Sequence, residues 1–199
     1  MASKPVEIIE GTMVPLDRAD VDTDQIMPKQ FLKRIERTGF GEFVFHDWRA
    51  DPQFVLNDPL RANANILVAG PNFGSGSSRE HAPWGLQQWG FEAVVAPSFA
   101  DIFTTNCAKI GLLTVVLPRE VCRALITQST ADPAATCRID LALTRVVAGD
   151  IDTTFDIDEH TRRMLLEGLD DIALTLKHSD EITRFENDRP GYLPLSISG

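Results

Sequence analysis

Ile66-Leu67-Val68-Ala69-Gly70-Pro71-Asn72-Phe73-Gly74-Ser75-Gly76-Ser77-Ser78-Arg79-Glu80-His81 runs from an apolar segment, through a glycine-rich loop, into the start of a helical pattern. Ile66 to Ala69 suits a short buried strand, and Gly70, Gly74 and Gly76 allow backbone conformations closed to other residues. Ser77 and Glu80 stand at the spacing of a capping box, which predicts a helix opening at Ser77. That placement gathers Ser77, Ser78 and Arg79 around a helix N-terminus, where free N–H groups and the helix dipole favour negative charge. Two hydroxyls and a guanidinium then converge on an anion. The same residues also suit a plain flexible connection ending in a helix cap. The stretch is neither of the common nucleotide loops: no Lys-Ser/Thr pair closes it, and its glycine spacing is not that of the dinucleotide fingerprint.

Working outward, strand and helix alternate as in an α/β protein. Phe91 to Ala96 and Leu112 to Leu117 read as strands. Between them, Ser98 and Asp101 repeat the capping-box spacing, with Phe99, Ile102, Phe103 and Ile110 as the apolar helix face before Gly111. The helix opened by Ser77 runs to Gly90, although Pro83 sits too deep for its first turn and should kink or delay it. Strands joined by helices of this length pair in parallel through right-handed crossovers. Upstream, Glu7 to Pro15 reads as a strand, followed by a turn carrying Asp17, Asp20, Asp22 and Asp24. These carboxylates lack the glycine and closing glutamate of a calcium loop. Met27 to Arg37 begins as a helix with Pro28 in its first turn, and residues 31 to 41 have the basic and aromatic composition of a mobile loop over a site. Downstream, Glu120 to Gln128 predicts a helix, Arg138 to Val147 a strand, and Thr153 to Ile157 another strand. Asp158 caps a helix through Glu167, and Asp170 opens one more containing Ile172, Leu174, Leu176 and Ile182. The tail from about residue 188 reads as an irregular arm on a single domain spanning 1–199.

A chain of 199 residues can bury roughly 70% of its unfolded surface as one domain. Its net charge of −10 argues against a nucleic-acid partner and means that any anionic ligand needs a local basic focus such as Arg79. No apolar run approaches a membrane span and Met1 to Pro5 lacks a signal-peptide core, which points to the cytoplasm. Cys107, Cys122 and Cys137 form no C-x-x-C pair and read as reduced core thiols rather than disulfides or metal ligands.

Three blocks of sequence carry a resemblance that spans nearly the whole chain: Asp22-Thr23-Asp24-Gln25-Ile26-Met27-Pro28, then Asn72 through His81, then Ser98-Phe99-Ala100-Asp101-Ile102-Phe103 with Asn106 and Gly111. The ending Gly168-Leu169-Asp170-Asp171-Ile172 adds to them. Together they resemble the small subunits of 3-isopropylmalate dehydratase, the isopropylmalate isomerase of leucine biosynthesis in the aconitase superfamily. Thr38-Gly39-Phe40-Gly41-Glu42-Phe43 with His46-Asp47-Trp48-Arg49 resembles the bacterial two-subunit form in particular. The resemblance implies a swivelling β/β/α domain like the mobile C-terminal domain of aconitase. It implies a hydro-lyase, active only with a large subunit as a heterodimer. It also implies a 4Fe-4S cluster, which this cysteine-poor chain cannot ligate and which is therefore expected on the large subunit.

The implied reaction dehydrates 2-isopropylmalate and rehydrates the intermediate to 3-isopropylmalate. Its hard step removes a proton from carbon next to a carboxylate, where negative charge then grows. By resemblance Ser77 is the base, Ser78 and Arg79 bind substrate, and Asp24 handles protons or orders a partner group; a turn-forming Asx role is the other reading of Asp24. Arg79 would grip a carboxylate through a bidentate fork that Lys cannot reproduce. Specificity in the family is associated with the loop here holding Leu32, Lys33 and Arg34, where Leu32 suits an isopropyl group and the two cations suit an extra carboxylate. His81 is expected to be a helix-face residue held by its neighbours, outside the catalytic set. Two alternatives stay open: a related hydro-lyase of the homoaconitase or methylmalate/citraconate type, and a non-catalytic anion-binding module.

Overall fold

The computed structural model describes residues 4–33, 38–169 and 179–188. In chain order they form β1 (Ile8–Leu16), α1 (Thr23–Ile26), a series of 3₁₀ turns, β2 (Ile66–Ala69), α2 (His81–Trp89), β3 (Ala93–Ala96) and α3 (Asp101–Ile110). After these come β4 (Leu113–Val116), α4 (Arg119–Ala131), β5 (Thr136–Asp140), β6 (Arg145–Ala148), β7 (Ile151–Thr154), α5 (Glu159–Glu167) and α6 (Ser179–Asp188). The strands make one seven-stranded sheet in the order β4-β3-β2-β1-β5-β6-β7. β1 to β4 pair in parallel, and β1, β5, β6 and β7 pair antiparallel.

Each half of the sheet follows from its apolar pattern. Every residue of β2 and β3 is buried, as expected of parallel strands covered on both faces. Alternate positions feed two separate cores. Leu67, Ala69, Val94 and Ala96 join Phe40, Phe73, Leu86 and Phe103 on one face, while Ile66, Val68, Ala93 and Val95 join Leu125, Ile139 and Leu165 on the other. In β5, by contrast, Cys137 and Ile139 point inward between exposed Thr136 and Arg138, so this half keeps one solvated face. Cys107, Cys122 and Cys137 are all free and buried, as expected.

Several expectations need correction. The segment Arg138 to Val147 is not one strand but parts of β5 and β6, split by a turn at 141–144. There the Asp140 carboxylate accepts the Leu143 N–H at 2.9 Å and Thr144 takes φ 49°. The apolar alternation runs on through Leu141 and Leu143, which hides the turn, whereas Asp140 is the residue type that makes one. From Met27 onward only a 3₁₀ turn forms, Lys29–Lys33, and residues 34–37 lie outside the described set.

The helix predicted from Ser77 begins at His81, with Glu80 at its cap and no side-chain cap bond. Pro83 decides this. A helix from Ser77 would drive the proline ring into the Arg79 carbonyl, but as the third helical residue Pro83 occupies a position whose N–H has no intrahelical partner anyway. The second predicted capping box also does not form: α3 starts at Asp101 behind Ala100, and Ser98 Oγ instead accepts the Asn72 N–H at 2.9 Å. Ile102 is exposed rather than part of the buried face. Asp158 does cap α5, accepting the Thr161 N–H at 2.9 Å, and Gly168 ends that helix with φ 63°. The remainder of the expected last helix, with Ile172, Leu174 and Leu176, and the arm beyond Asp188 lie outside the described residues; Ile182 sits on α6.

Because β1, β2 and β3 are parallel, their following loops leave the sheet at one edge, the usual place for a ligand in an open α/β sheet. Main-chain bonds stitch these loops together: Gly74 N–H to the Val21 carbonyl at 2.8 Å, Thr23 N–H to the Ser75 carbonyl at 2.9 Å, and Phe73 N–H to the Ser98 carbonyl at 3.1 Å.

Candidate functional site

The four aspartates after β1 divide their tasks. Asp22 caps α1 in a complete capping box, its carboxylate accepting from Gln25 N–H at 2.8 Å while its own N–H donates to Gln25 Oε1 at 3.0 Å. Asp20 accepts from Asn72 Nδ2 at 2.8 Å, tying the two loops. Asp24 takes no part in the cap; its half-buried carboxylate ion-pairs with Arg79 and lies 3.3 Å from Lys29 Nζ. The Asx role thus falls on Asp22, and Asp24 meets the Ser-Ser-Arg motif across the edge of the sheet.

The glycine-rich loop reaches that place by two backbone devices. Gly74 has φ 77°, and a Cβ there would stand 2.2 Å from the Phe103 ring, so only glycine lets the loop lie on α3. Beyond Gly76, at φ 93°, Ser77, Ser78 and Arg79 run in irregular backbone rather than in a helix. Ser77 and Ser78 are exposed, while Arg79 is half-buried. Ser77 therefore does not sit at a helix N-terminus, since α2 begins four residues on at His81. Thr23 Oγ1 accepts the Ser77 N–H at 3.2 Å and lies 3.3 Å from the Ser77 carbonyl, and Asn106 Nδ2 donates to the Ser78 carbonyl at 3.1 Å.

The structure thus brings Asp24, Ser77, Ser78 and Arg79 to one surface. Leu32 is half-buried against the Phe40 side of the core, next to Phe31, whose ring stacks on Phe43 at 4.0 Å. Lys33 is exposed, and Arg34 lies outside the described residues. At its far end the 31–41 segment is anchored: Phe40 is fully buried and donates its N–H to Gln88 Oε1 at 2.8 Å. Lys29, Thr23 and Asn106 carry no sequence signal that marks them as site residues. Lys29 follows the Asp-Thr-Asp-Gln block, and Thr23 and Asn106 lie inside the motif blocks, but only the three-dimensional contacts give them a task.

His81 opens α2 with its ring against Phe40 and Trp84, at centroid distances of 5.2 and 4.9 Å. Burial lowers its pKa below the ordinary histidine value; Glu80 opposes that shift and Arg79 adds to it. Burial pushes the Cys137 thiol up to about 12 and the Cys122 thiol to about 11, and raises Cys107 as well. Among the described residues no group of three His, Cys, Asp or Glu side chains is placed to hold a metal ion. A cleft of about 220 Å³ is lined by Pro15 to Arg18, Asp51 and Gln53 to Val55, and none of the four site residues lines it. Ser77 and Ser78 are exposed to solvent, and Asp24 and Arg79 are half-buried.

A family profile of the aconitase C-terminal domain matches residues 3–120, and a profile of the C-terminal domain of the 3-isopropylmalate dehydratase small subunit matches residues 171–191. The chain is similar to a protein of Rubrobacter xylanophilus named 3-isopropylmalate dehydratase small subunit, with 56% identity over 191 residues covering 96% of this chain and 98% of the relative. A protein of the same name from a Parafrankia species is 56% identical over 186 residues, covering 94% and 95% of the two chains. In three dimensions the chain is similar to the crystal structure of a 3-isopropylmalate dehydratase from Methanocaldococcus jannaschii, with a TM-score of 0.63 and 25% identity, covering 89% of this chain and 98% of that one.

Proposed function

The chain belongs to the 3-isopropylmalate dehydratase small-subunit family of the aconitase superfamily, and on that footing we propose that Asp24, Ser77, Ser78 and Arg79 are its share of the active site. The family's enzyme is a hydro-lyase in which a small subunit acts with a large one. One observation carries the site assignment: the Asp24–Arg79 ion pair joins two motifs, far apart in sequence, beside an exposed serine pair.

The proposed substrate is 2-isopropylmalate. Ser77, as the alkoxide, takes the proton from the carbon next to a carboxylate and becomes a hydroxyl, hydroxide leaves the neighbouring carbon, and return of water with the opposite regiochemistry gives 3-isopropylmalate. Electron density from the broken C–H bond moves onto the carboxylate, which Arg79 holds through a planar fork and Ser78 through its hydroxyl. Asp24 orders the Arg79 guanidinium and is at hand for proton handling. On substrate arrival Arg79 exchanges one carboxylate for another, a small electrostatic cost. Leu32 and Lys33, with Arg34, form the loop that reads the substrate's side group.

A 4Fe-4S cluster, as expected for the superfamily, does not fit this chain. Its three cysteines sit buried on α3, α4 and β5, and their raised pKa values disfavour the thiolates that a cluster requires. We place the cluster on the large subunit, which also supplies the second wall of the site. The pair is placed in the cytoplasm, and this chain acts in it as one swivelling domain.

The test is an anaerobic assay of the purified two-chain enzyme against isopropylmalate, homoaconitate and citraconate. Isopropylmalate should be the preferred substrate. A preference for homoaconitate would instead assign Lys33 to an additional substrate carboxylate, and absence of turnover on all three would favour an anion-binding module. The isolated chain, purified with iron and sulfide, should stay colourless and inactive.

A further inference from the structure

Four polar or charged side chains are buried among the described residues: Thr23, Arg61, Asn106 and Ser129. Polar groups are costly to place in the interior unless hydrogen bonds compensate them, so their partners are informative. Arg61 and Ser129 bond to each other and to the Met13 carbonyl, within the core. Thr23 and Asn106 do something different. Both reach out of the core to the main chain of Ser77 and Ser78.

That main chain has little else to orient it. It follows Gly76, which adopts φ 93°, and it belongs to neither strand nor helix. Thr23 Oγ1 accepts the Ser77 N–H at 3.2 Å and donates to the Ser77 carbonyl at 3.3 Å, so a single hydroxyl satisfies both polar groups of one residue. Thr23 is itself fixed: it is 2% exposed, its N–H bonds to the Ser75 carbonyl at 2.9 Å, and its carbonyl accepts the Met27 N–H at 2.9 Å. One residue on, Asn106 from α3 holds the Ser78 carbonyl. The two serine side chains stay exposed while their backbones are gripped from inside.

We propose that Thr23 and Asn106 are positioning residues that fix Ser77 and Ser78 for proton abstraction, offsetting the freedom that Gly76 gives the loop. The proposal rests on the reading of Ser77 as the base. Near-attack geometry is demanding, and a misplacement of about 1 Å costs on the order of 10²-fold in rate. Thr23→Val keeps the shape of the side chain and removes both bonds to Ser77; Thr23→Ser keeps the hydroxyl. Asn106→Asp preserves size and loses the donor to Ser78.

The experiment uses the two-chain enzyme, with isopropylmalate protonated or deuterated at the carbon that loses the proton. Thr23→Val should lower kcat by roughly ten- to a hundredfold while KM stays near the parent value. Its primary isotope effect on kcat should rise, because the proton transfer becomes slower relative to other steps. Thr23→Ser should recover most of the turnover with a parental isotope effect, and Asn106→Asp should raise KM more than it lowers kcat. Parental kcat in Thr23→Val, equal impairment of the Val and Ser variants, or lost turnover with no rise in isotope effect would each overturn the proposal. Should Thr23→Val fail to assemble with the large subunit, Thr23→Ala is judged by the same criteria. A Ser77→Ala enzyme with parental turnover removes the underlying reading and the proposal with it; an inactive Ser77→Ala beside a fully active Thr23→Val overturns the positioning proposal alone.

Discussion

Arg61 and Arg79 carry the same guanidinium in opposite circumstances. Arg61 is buried, with Nη1 donating to the Met13 carbonyl at 2.9 Å and to Ser129 Oγ at 3.0 Å, Nη2 donating to the Ser129 carbonyl at 2.7 Å, and Asp58 at 3.5 Å from Nε. Arg79 is half-buried and its partner is Asp24, a carboxylate that Lys29 also approaches. A guanidinium whose donors are spent on fixed main-chain and side-chain groups is a strut, because removing any partner strands a buried charge. One facing a shared, partly exposed carboxylate can change partners at little cost. Solvation and partner chemistry, rather than residue type, separate the structural arginine from the one proposed to bind substrate.

The sharpest way to test this division is to remove chemistry at one end and measure what stability is lost. Ser77→Ala in the two-chain enzyme should lower kcat by about 10²- to 10⁴-fold, the usual contribution of a positioned general base. Its thermal midpoint should match the parent's, since the Ser77 side chain is exposed and caps no helix. Turnover close to parental would move the base elsewhere.

At the other end the outcomes should be reversed. Arg61→Met should destabilise the chain by about 1–3 kcal/mol in urea titration, the cost of leaving the buried Met13 and Ser129 acceptors short of a donor. Arg79→Ala should leave the urea midpoint nearly unchanged and damage catalysis, and Arg79→Lys should be almost as damaging, because an ammonium cannot form the planar fork. If Arg79→Lys turns over like the parent, a bare positive charge suffices there. If Arg61→Met is as stable as the parent, the contrast between the two arginines collapses.

The two ends also differ in how far the sequence exposes them. Strand, glycine loop and serine-arginine motif are all legible around Ile66 to Arg79, because local pattern and local structure coincide there. The start of α2 is not: Ser77 and Glu80 make a persuasive cap, and the decisive signal is the steric demand of Pro83. Resemblance marks Asp24 and Arg79 separately, but their pairing depends on the parallel register of β1 with β2, which no local window contains. Arg61 with Ser129, and Thr23 with Ser77, are invisible in sequence for the same reason. A buried Arg or Thr looks like any surface residue until the fold places it.

Substrate choice should respond less strongly than proton abstraction. Leu32→Arg replaces a half-buried apolar side chain in the loop that leads away from Lys29. Losing apolar contact with an isopropyl group should cost about 1–3 kcal/mol in relative kcat/KM, shifting preference towards a substrate with an extra carboxylate without stopping turnover. Catalytic efficiencies for isopropylmalate and homoaconitate measure it directly. An unchanged ratio would place specificity on the large subunit and confine this chain to the proton-transfer half of the site.

The smallest effect separates the two arginines by pH. His81 adjoins Arg79, and its Nδ1 is buried without a hydrogen-bond partner among the described residues. Desolvation holds its folded pKa below the ordinary 6.5, with Arg79 contributing in the same direction against Glu80. A histidine with a depressed folded pKa contributes stability that is present above the unfolded value and is lost as pH falls through the folded one, because the unfolded chain binds the proton first. The parent should therefore lose stability relative to His81→Gln as pH falls below 6.5. Urea midpoints of both proteins across a series of pH values measure the difference, with Arg61→Met as a control whose deficit should not follow that window. A parent that holds or gains stability relative to His81→Gln on acidification would mean that His81 protonates freely in the folded chain, and that a second cation is tolerated beside Arg79. The site would then be more solvated than its burial suggests, and the exchange of Asp24 for a substrate carboxylate would be correspondingly weaker.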